Sequence, residues 1–342
     1  MGIFANRQIT SIFLTVLCLY CLSICNGELL ASFVFGDSLV DVGNNNYIVT
    51  LSKANYPPNG IDFGVPTGRF TNGRTIADII GQEFGLMTFS PPYLAPTTKG
   101  LAIMQGVNYA SGAGGILNAT GQLFIGRLNF DAQLDNFANT KQDLISTIGE
   151  EATNELLKKA LFSVTMGSND FINNYLTPIV SRRLRKMGAK KILVANVGPI
   201  GCIPYIRELN PSEAPKCAAL PNHLAQLFNF QLKSLVTELS SNLKGSEFVY
   251  ADVYRVVNDL LLNYTSYGFE NGNSACCYVS GRFGGLIPCG PTSKMCNDRS
   301  KYVFWDPYHP SDAANVLIAK RLIDGDSSFI SPINIRQLVL HS

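Results

Sequence analysis

Apolar and polar positions along the chain repeat with two periods. Short apolar runs recur at Ala31–Phe35, Gly106–Ala110, Ala160–Met166, Lys191–Val197 and Glu247–Ala251, and each predicts a strand. Between them the period lengthens to that of a helix. Over Asn129–Ile145, residues Phe130, Leu134, Phe137 and Leu144 fall on one face; over Leu220–Leu243, Leu224, Leu227, Phe228, Leu235 and Leu239 do the same. Strands alternating with helices predict parallel βαβ units and a central sheet covered on both faces. In such sheets sites form beyond the carboxyl ends of the strands. The stretches 44–72 and 265–304 follow neither period and are expected to be loops over that edge. No linker or internal repeat divides the chain, so residues 28–342 are expected to form a single α/β domain.

The N-terminus adds a location. Arg7 precedes an uncharged stretch from Gln8 to Gly27, almost wholly apolar from Ile9 to Ile24. This reads as a secretory signal peptide over residues 1–27, with cleavage near Gly27. A retained signal anchor is the alternative, but the first strand begins near Ala31 and leaves almost no linker to a membrane helix. Six cysteines follow the leader: Cys202, Cys217, Cys276, Cys277, Cys289 and Cys296. An even number in an exported chain predicts disulfides, with a local Cys202–Cys217 bridge and the other four knitting 274–298. A zinc site is the alternative, and no CxxC pair supports it. Asn118-Ala119-Thr120 and Asn263-Tyr264-Thr265 fit the N-glycosylation pattern. Net charge is only +2 over 342 residues, too small to suggest a nucleic-acid partner, and none is expected. The one basic cluster, Arg182 to Lys186 with Lys190 and Lys191, is expected to be a solvated helix face.

Candidate chemistry centres on Phe33-Val34-Phe35-Gly36-Asp37-Ser38, where a strand ends at a serine. Ser38 either caps a following helix or is a nucleophile, and a base has to be found to decide. Of three histidines, His341 is penultimate and His223 starts an amphipathic helix; His309 stands in a proline-containing loop three residues after Asp306, ahead of a helix beginning near Ser311. A tight turn brings that carboxylate to the imidazole and frees the other ring nitrogen to take a serine proton; the alternative is a structural Asp–His hydrogen bond. Oxyanion donors are offered by the glycine-rich turn at Gly112 and by Asn169, each after a predicted strand. No G-x-S-x-G motif occurs, so this is not the usual α/β-hydrolase elbow. Asp37 and Asp170 are expected to bond backbone in their turns.

Gly36-Asp37-Ser38-Leu39, Gly112, Gly167-Ser168-Asn169-Asp170 and Asp306-Pro307-Tyr308-His309-Pro310 stand in the order of four blocks, flanked by FTNGRTIADII, GVNYASGAGGIL and KILVANVGPIGCIP. From about residue 30 to residue 338 the chain resembles the plant GDSL esterase/lipases of the SGNH hydrolase superfamily. The resemblance implies a three-layer α/β/α flavodoxin-like fold and ester hydrolysis without a cofactor or metal. It implies Ser38 as nucleophile, His309 as base and Asp306 as its orienter. The oxyanion donors would be the N–H of Ser38, the N–H of Gly112 and the Asn169 amide. The expected protein is a secreted, extracellular (apoplast or cell-wall) serine esterase/lipase. It would be a monomer acting on a small-molecule or polymeric ester, without stable membrane insertion. Acyl transfer by the same triad is the alternative. A catalytically silent binding protein, or a metal phosphoesterase using Asp37, Asp41, Asp170 and His309, fits the residues less well.

Overall fold

In a computed structural model of the chain, residues 29–173, 181–213, 216–243 and 245–341 are described. The expected leader, residues 1–27, lies outside them, as does its cleavage point. Four parallel strands form the sheet: β1 (Ser32–Gly36), β2 (Leu161–Thr165), β3 (Lys191–Ala195) and β4 (Glu247–Ala251), in the order β1-β2-β3-β4. Four short strands follow outside it, β5 (Asn271–Ala275), β6 (Cys277–Tyr278), β7 (Lys294–Met295) and β8 (Tyr302–Phe304). The two-residue β9 (Ile330–Ser331) then returns antiparallel against β4. It is too short to have carried a period of its own.

The expected strand at Gly106–Ala110 is reduced to isolated parallel bridges, Asn108 with Val34 on one side and with Pro92 on the other. The segment still runs along the free side of β1: Val34 N–H donates to Val107 O (3.0 Å) and Tyr109 N–H to Val34 O (2.8 Å). Ser32 N–H to Gln105 O and Ser111 N–H to Gly36 O extend the contact, while Gly36 N–H is diverted to Gln133 Oε1 instead of this segment. With this segment as the second member, the spatial order is 2-1-3-4-5, the flavodoxin-like order. Chain direction of growth reverses beside β1, so a crevice opens beyond the carboxyl ends of β1 and β2.

Helices cover both faces. On one side lie α2 (Phe130–Ile148), α3 (Glu150–Lys159) and α7 (Ala219–Asn242); on the other α1 (Ile76–Glu83), α8 (Val253–Leu262), α9 (Asp312–Asp324) and α10 (Ile335–Leu340). Shorter helices α4 (Ser168–Asn173), α5 (Ser181–Lys186) and α6 (Pro204–Leu209) follow strands or precede them. Strand alternation sorts the core. Phe33, Phe35, Phe162 and Phe248 point to the first side, where Phe137 packs against Phe33 and Phe162 at ring distances of 5.3 and 5.4 Å. Leu161, Leu193, Val249 and Ala251 point to the other. Each fully buried Phe or Leu contributes roughly 1.5–3 kcal/mol of transfer free energy.

The two helices expected from periodicity are present, with Asn129 accepting from Ala132 N as the α2 cap. All four apolar face positions of α2 are buried. In α7, Ala225, Phe228, Val236 and Leu239 carry the contact while Leu227 points to solvent. The basic cluster is partly neutralised: Arg183 on α5 pairs with Asp131 and Asp135 of α2. The expected loop 265–304 instead contains β5–β8, drawn together by disulfides. Cys202–Cys217 forms as expected, and the other four cysteines pair as Cys276–Cys296 and Cys277–Cys289. Among the described residues no helix is long and apolar enough to cross a membrane.

Candidate active site

Gly36 ends β1 where a Cβ would collide with Val40 and with Thr165 O. Ser38 lies in the turn beyond. The helix expected after it does not form: Val40 N–H and Asp41 N–H both return to Asp37 O, closing one turn, and Gly43 at φ 125° breaks the helical path. Ser38 therefore caps nothing. The turn is held by a residue that sequence reading passed over. Gln133 on α2, fully buried, accepts from Gly36 N (2.9 Å) and donates to Gly36 O (2.8 Å). Within α2 it reads as one polar residue on an apolar face, which is the only signal it left.

The loop from β8 to α9 brings the base. Asp306 Oδ1 accepts the backbone N–H groups of Tyr308 and His309, each at 2.8 Å, which folds the loop tightly. His309 Nδ1 stands 2.8 Å from both Asp306 carboxylate oxygens, and Nε2 stands 2.8 Å from Ser38 Oγ. Asp306 is 6% exposed and His309 7%. The loop is braced from behind. Trp305 is buried among the disulfide cysteines and donates to Asn59, and Cys276 N–H and Cys277 N–H donate to Phe304 O and Trp305 O. From the front, Thr71 Oγ1 donates to Pro310 O, Asn72 Oδ1 accepts from Asp312 N, and Arg74 pairs with Asp312. This explains the FTNGRT stretch structurally: it clamps the start of α9, whose own cap is Ser311 accepting from Ala314 N.

The glycine-rich turn and α4 supply donors, with one correction. Gly112 N–H does not face the crevice; it donates to Asp41 Oδ2 at 2.9 Å. Gly112 is glycine because Phe70 and Ser52 press on its missing Cβ at 2.6–2.8 Å. The next residue, Ala113, lines the crevice with φ 64°, and its N–H meets no acceptor among the described residues. A left-handed conformation at a non-glycine residue is uncommon, and here it falls on the crevice wall. Ser38 N–H likewise meets no acceptor among the described residues, and Asn169 Nδ2 uses one of its two hydrogens on Gly114 O (2.9 Å). Asp170, expected in a turn, accepts from Ile116 N, Leu117 N and Thr120 Oγ1, locking α4 to the glycine-rich segment.

Asp41 is thus committed to backbone, Asp170 to backbone and the Thr120 hydroxyl, and Asp37 accepts from Leu39 N. Among the described residues no three His, Cys, Asp or Glu side chains converge as metal ligands. Burial pushes Asp37 up to about 7 and Asp41 up to about 6; hydrogen bonds from Leu39 N–H to the former and from Gly43 and Gly112 N–H to the latter only partly offset the desolvation. Asp37 Oδ2 is buried with no partner. A carboxyl whose folded pKa lies above the unfolded value of 3.8 holds its proton more tightly when folded. Its contribution is complete below pH about 4 and is lost as pH rises through about 7. Asp37→Asn removes this dependence. Between pH 4 and pH 8 the wild type should lose up to about 4 kcal/mol relative to the variant. Urea melts of both proteins at the two pH values measure it, and parallel pH dependences would exclude the effect.

His223 is exposed on α7, and His341 pairs with Glu247 at the opposite, amino end of the strands. Neither approaches Ser38. Asn118 and Asn263 are both exposed.

The likenesses to known proteins agree with this arrangement. Residues 33–322 match the family model described as GDSL-like lipase/acylhydrolase. A GDSL esterase/lipase of Arabidopsis thaliana is 60% identical over 332 residues, covering 90% of each chain. A second Arabidopsis GDSL esterase/lipase is 51% identical over 341 residues, covering 91% of this chain and 88% of its own. GDSL esterase/lipase 7 of the same plant is 40% identical over 334 residues, covering 90% and 91%. With the family model matched from β1 to α9, and identity sustained over nine-tenths of its length, the chain belongs to the GDSL-like lipase/acylhydrolase family.

Proposed function

We propose that the protein is a secreted serine esterase that cleaves carboxylic esters through an acyl-enzyme. The observation that carries this reading is the unbroken hydrogen-bond line from Asp306 through His309 to Ser38. In this reading Ser38 Oγ attacks the ester carbonyl while His309 Nε2 takes its proton. Asp306 holds the imidazole so that Nδ1 carries the hydrogen and stabilises the imidazolium that forms. The tetrahedral oxyanion is received by Ser38 N–H, Ala113 N–H and the second hydrogen of Asn169 Nδ2, with Ala113 taking the place first expected of Gly112. His309 then protonates the leaving alcohol. The same histidine activates a water that attacks the acyl-Ser38 carbonyl, releasing the acid and returning the proton to Ser38.

The six paired cysteines and the exposed Asn118 and Asn263 support export to the extracellular, wall-side space as a glycoprotein. Among the described residues nothing calls for a second chain to complete the site, and we take the protein as a monomer. One preparation tests the reading. The full chain is expressed through a secretory route and treated with a fluorophosphonate, and its peptides are weighed. The reading requires the phosphonyl adduct on Ser38 and glycan mass on Asn118 and Asn263. An intact, unmodified Ser38 in folded protein would refute the nucleophile.

Asn169→Ala isolates the oxyanion donor. Loss of one such donor costs about 10²–10³ in kcat, with little change in KM, because the bond tightens only as charge develops on the oxygen. Steady-state kinetics on a p-nitrophenyl ester would show it. A rise in KM at constant kcat would instead make Asn169 a ground-state binding group.

A further inference from the structure

The crevice at Ser38 does not end at the reacting atoms. It runs on between the sheet and the α1/α8/α9 layer, and crevice and extension together enclose about 320 Å³. Its floor is the sheet face carrying Thr165 and Ser163 on β2 and Ala195 and Leu193 on β3, so it descends at least one same-face step, about 7 Å, below the strand ends. Ala77 and Ile80 of α1 form one wall, and Val257, Ile318 and Leu322 the other.

Its origin is a difference between the two faces of the same strands. On the α2/α7 side the strand positions are filled by Phe33, Phe35 and Phe162, and aromatic packing leaves no space. On the α1/α9 side the corresponding carboxyl-end positions are Gly36, Thr165 and Ala195. Small side chains there, opposite Ala77, leave room that neighbouring helices do not fill. Unfilled apolar space forfeits dispersion contacts in an otherwise close-packed interior. The entrance continues the character of the interior: Leu51, 70% exposed, and Leu123, 79% exposed, stand at the rim on two loops joined by Leu51 N–H to Phe124 O.

We propose that this cavity is an acyl tunnel, which receives the hydrocarbon chain of a medium- or long-chain carboxylic ester while its carbonyl rests at Ser38. The proposal rests on the esterase reading for the chemistry, and on the cavity alone for the chain. A sleeve walled by aliphatic side chains, with the Ser163 and Thr165 hydroxyls on its floor, selects for methylene count over a bulky polar sugar or phenolic acid. The alcohol side is left at the open rim. Ala195 and Ala77 set the bore, and their methyl-sized side chains make the tunnel's depth a property of two positions.

Binding is measured first, without turnover. Ser38→Ala protein is titrated calorimetrically with dodecanoic acid below its aggregation limit. One equivalent should bind, and Ala77→Phe or Ala195→Phe in the Ser38→Ala background should weaken binding at least tenfold. The two blocking variants come from a helix and from the sheet, and circular dichroism establishes which are folded. Wild-type kcat/KM on p-nitrophenyl esters should then rise by at least about 100-fold from two to ten acyl carbons, since each buried methylene is worth about fourfold. The ratio of ten- to two-carbon activity should fall at least tenfold in a folded blocking variant. Absence of dodecanoate binding, or a chain-length ratio unmoved by the block, overturns the tunnel. Ser38-dependent hydrolysis of acetyl esters alone would leave the esterase standing and the tunnel refuted. Dodecanoate binding without any ester hydrolysis would do the reverse.

Discussion

Ser38→Ala should lower kcat/KM on an activated ester by roughly 10⁴–10⁶, while the melting temperature stays within a few degrees. The size follows from what the substitution removes. Without Oγ there is no acyl-enzyme, and the remaining donors can only assist direct attack by water. Such sites retain catalysis of about 10³–10⁴ over the uncatalysed reaction, supplied by the oxyanion donors and binding. The fold should be indifferent, because Ser38 caps no helix and its hydroxyl contacts only His309 Nε2 among the described residues. The turn itself is held by Gln133 on Gly36 and by Asp37 O, neither of which involves the serine side chain. A variant that keeps more than a hundredth of wild-type activity would remove Ser38 from the mechanism.

Asp306→Asn should come close behind, with kcat down about 10⁴-fold. The aspartate does two things. Its Oδ1 accepts the N–H groups of Tyr308 and His309, which shapes the loop, and both oxygens face Nδ1 of the ring. An asparagine can keep its oxygen on the backbone and so preserve the loop. Its NH₂ then faces Nδ1, which must accept, and the ring hydrogen moves to Nε2. The histidine now donates to Ser38 and cannot take its proton. Asp306→Ala, by contrast, also frees two loop N–H groups and should cost stability of about 1–3 kcal/mol. Comparing the two variants separates tautomer control from loop shaping. Near-equal unfolding of wild type and Asp306→Asn, with activity lost, is the expected pattern. Because the three groups act as a unit, the Ser38→Ala/Asp306→Asn double variant should be no less active than Ser38→Ala alone. Additive losses would mean the groups work independently.

Much of the architecture was legible in the chain because it rests on local periodicity. The apolar runs at 31–35, 160–166, 191–197 and 247–251 became the four parallel strands, and α2 and α7 followed from their 3.6-residue spacing. Ser38, Asp306, His309 and Asn169 could be picked out because each follows a strand end or sits in a short proline-marked loop. Scarcity helped with the histidine. The pairing Cys202–Cys217 was accessible because 15 residues separate the partners. Connections set by packing between distant segments were not. β9 is two residues long and exists only because β4 offers it an edge. The strand expected at 106–110 keeps only isolated bridges, and one β1 donor beside it, Gly36 N–H, goes to Gln133, a residue 97 positions away.

The sequence by itself determined the alternation of strand and helix, hence the parallel sheet, and which side chains stand at its carboxyl edge. These are properties of neighbours in the chain, where a period of two or of 3.6 residues dictates the face each side chain takes. Only the tertiary structure decided which groups meet. It brought His309 to Ser38 across 271 positions, gave Gly112 N–H to Asp41, and set Ala113, whose N–H meets no acceptor among the described residues, on the crevice wall. It also left one face of the sheet open where Thr165 and Ala195 lie side by side. A hydrogen bond or a void between residues far apart in the chain depends on three-dimensional distance, and no local pattern encodes that distance.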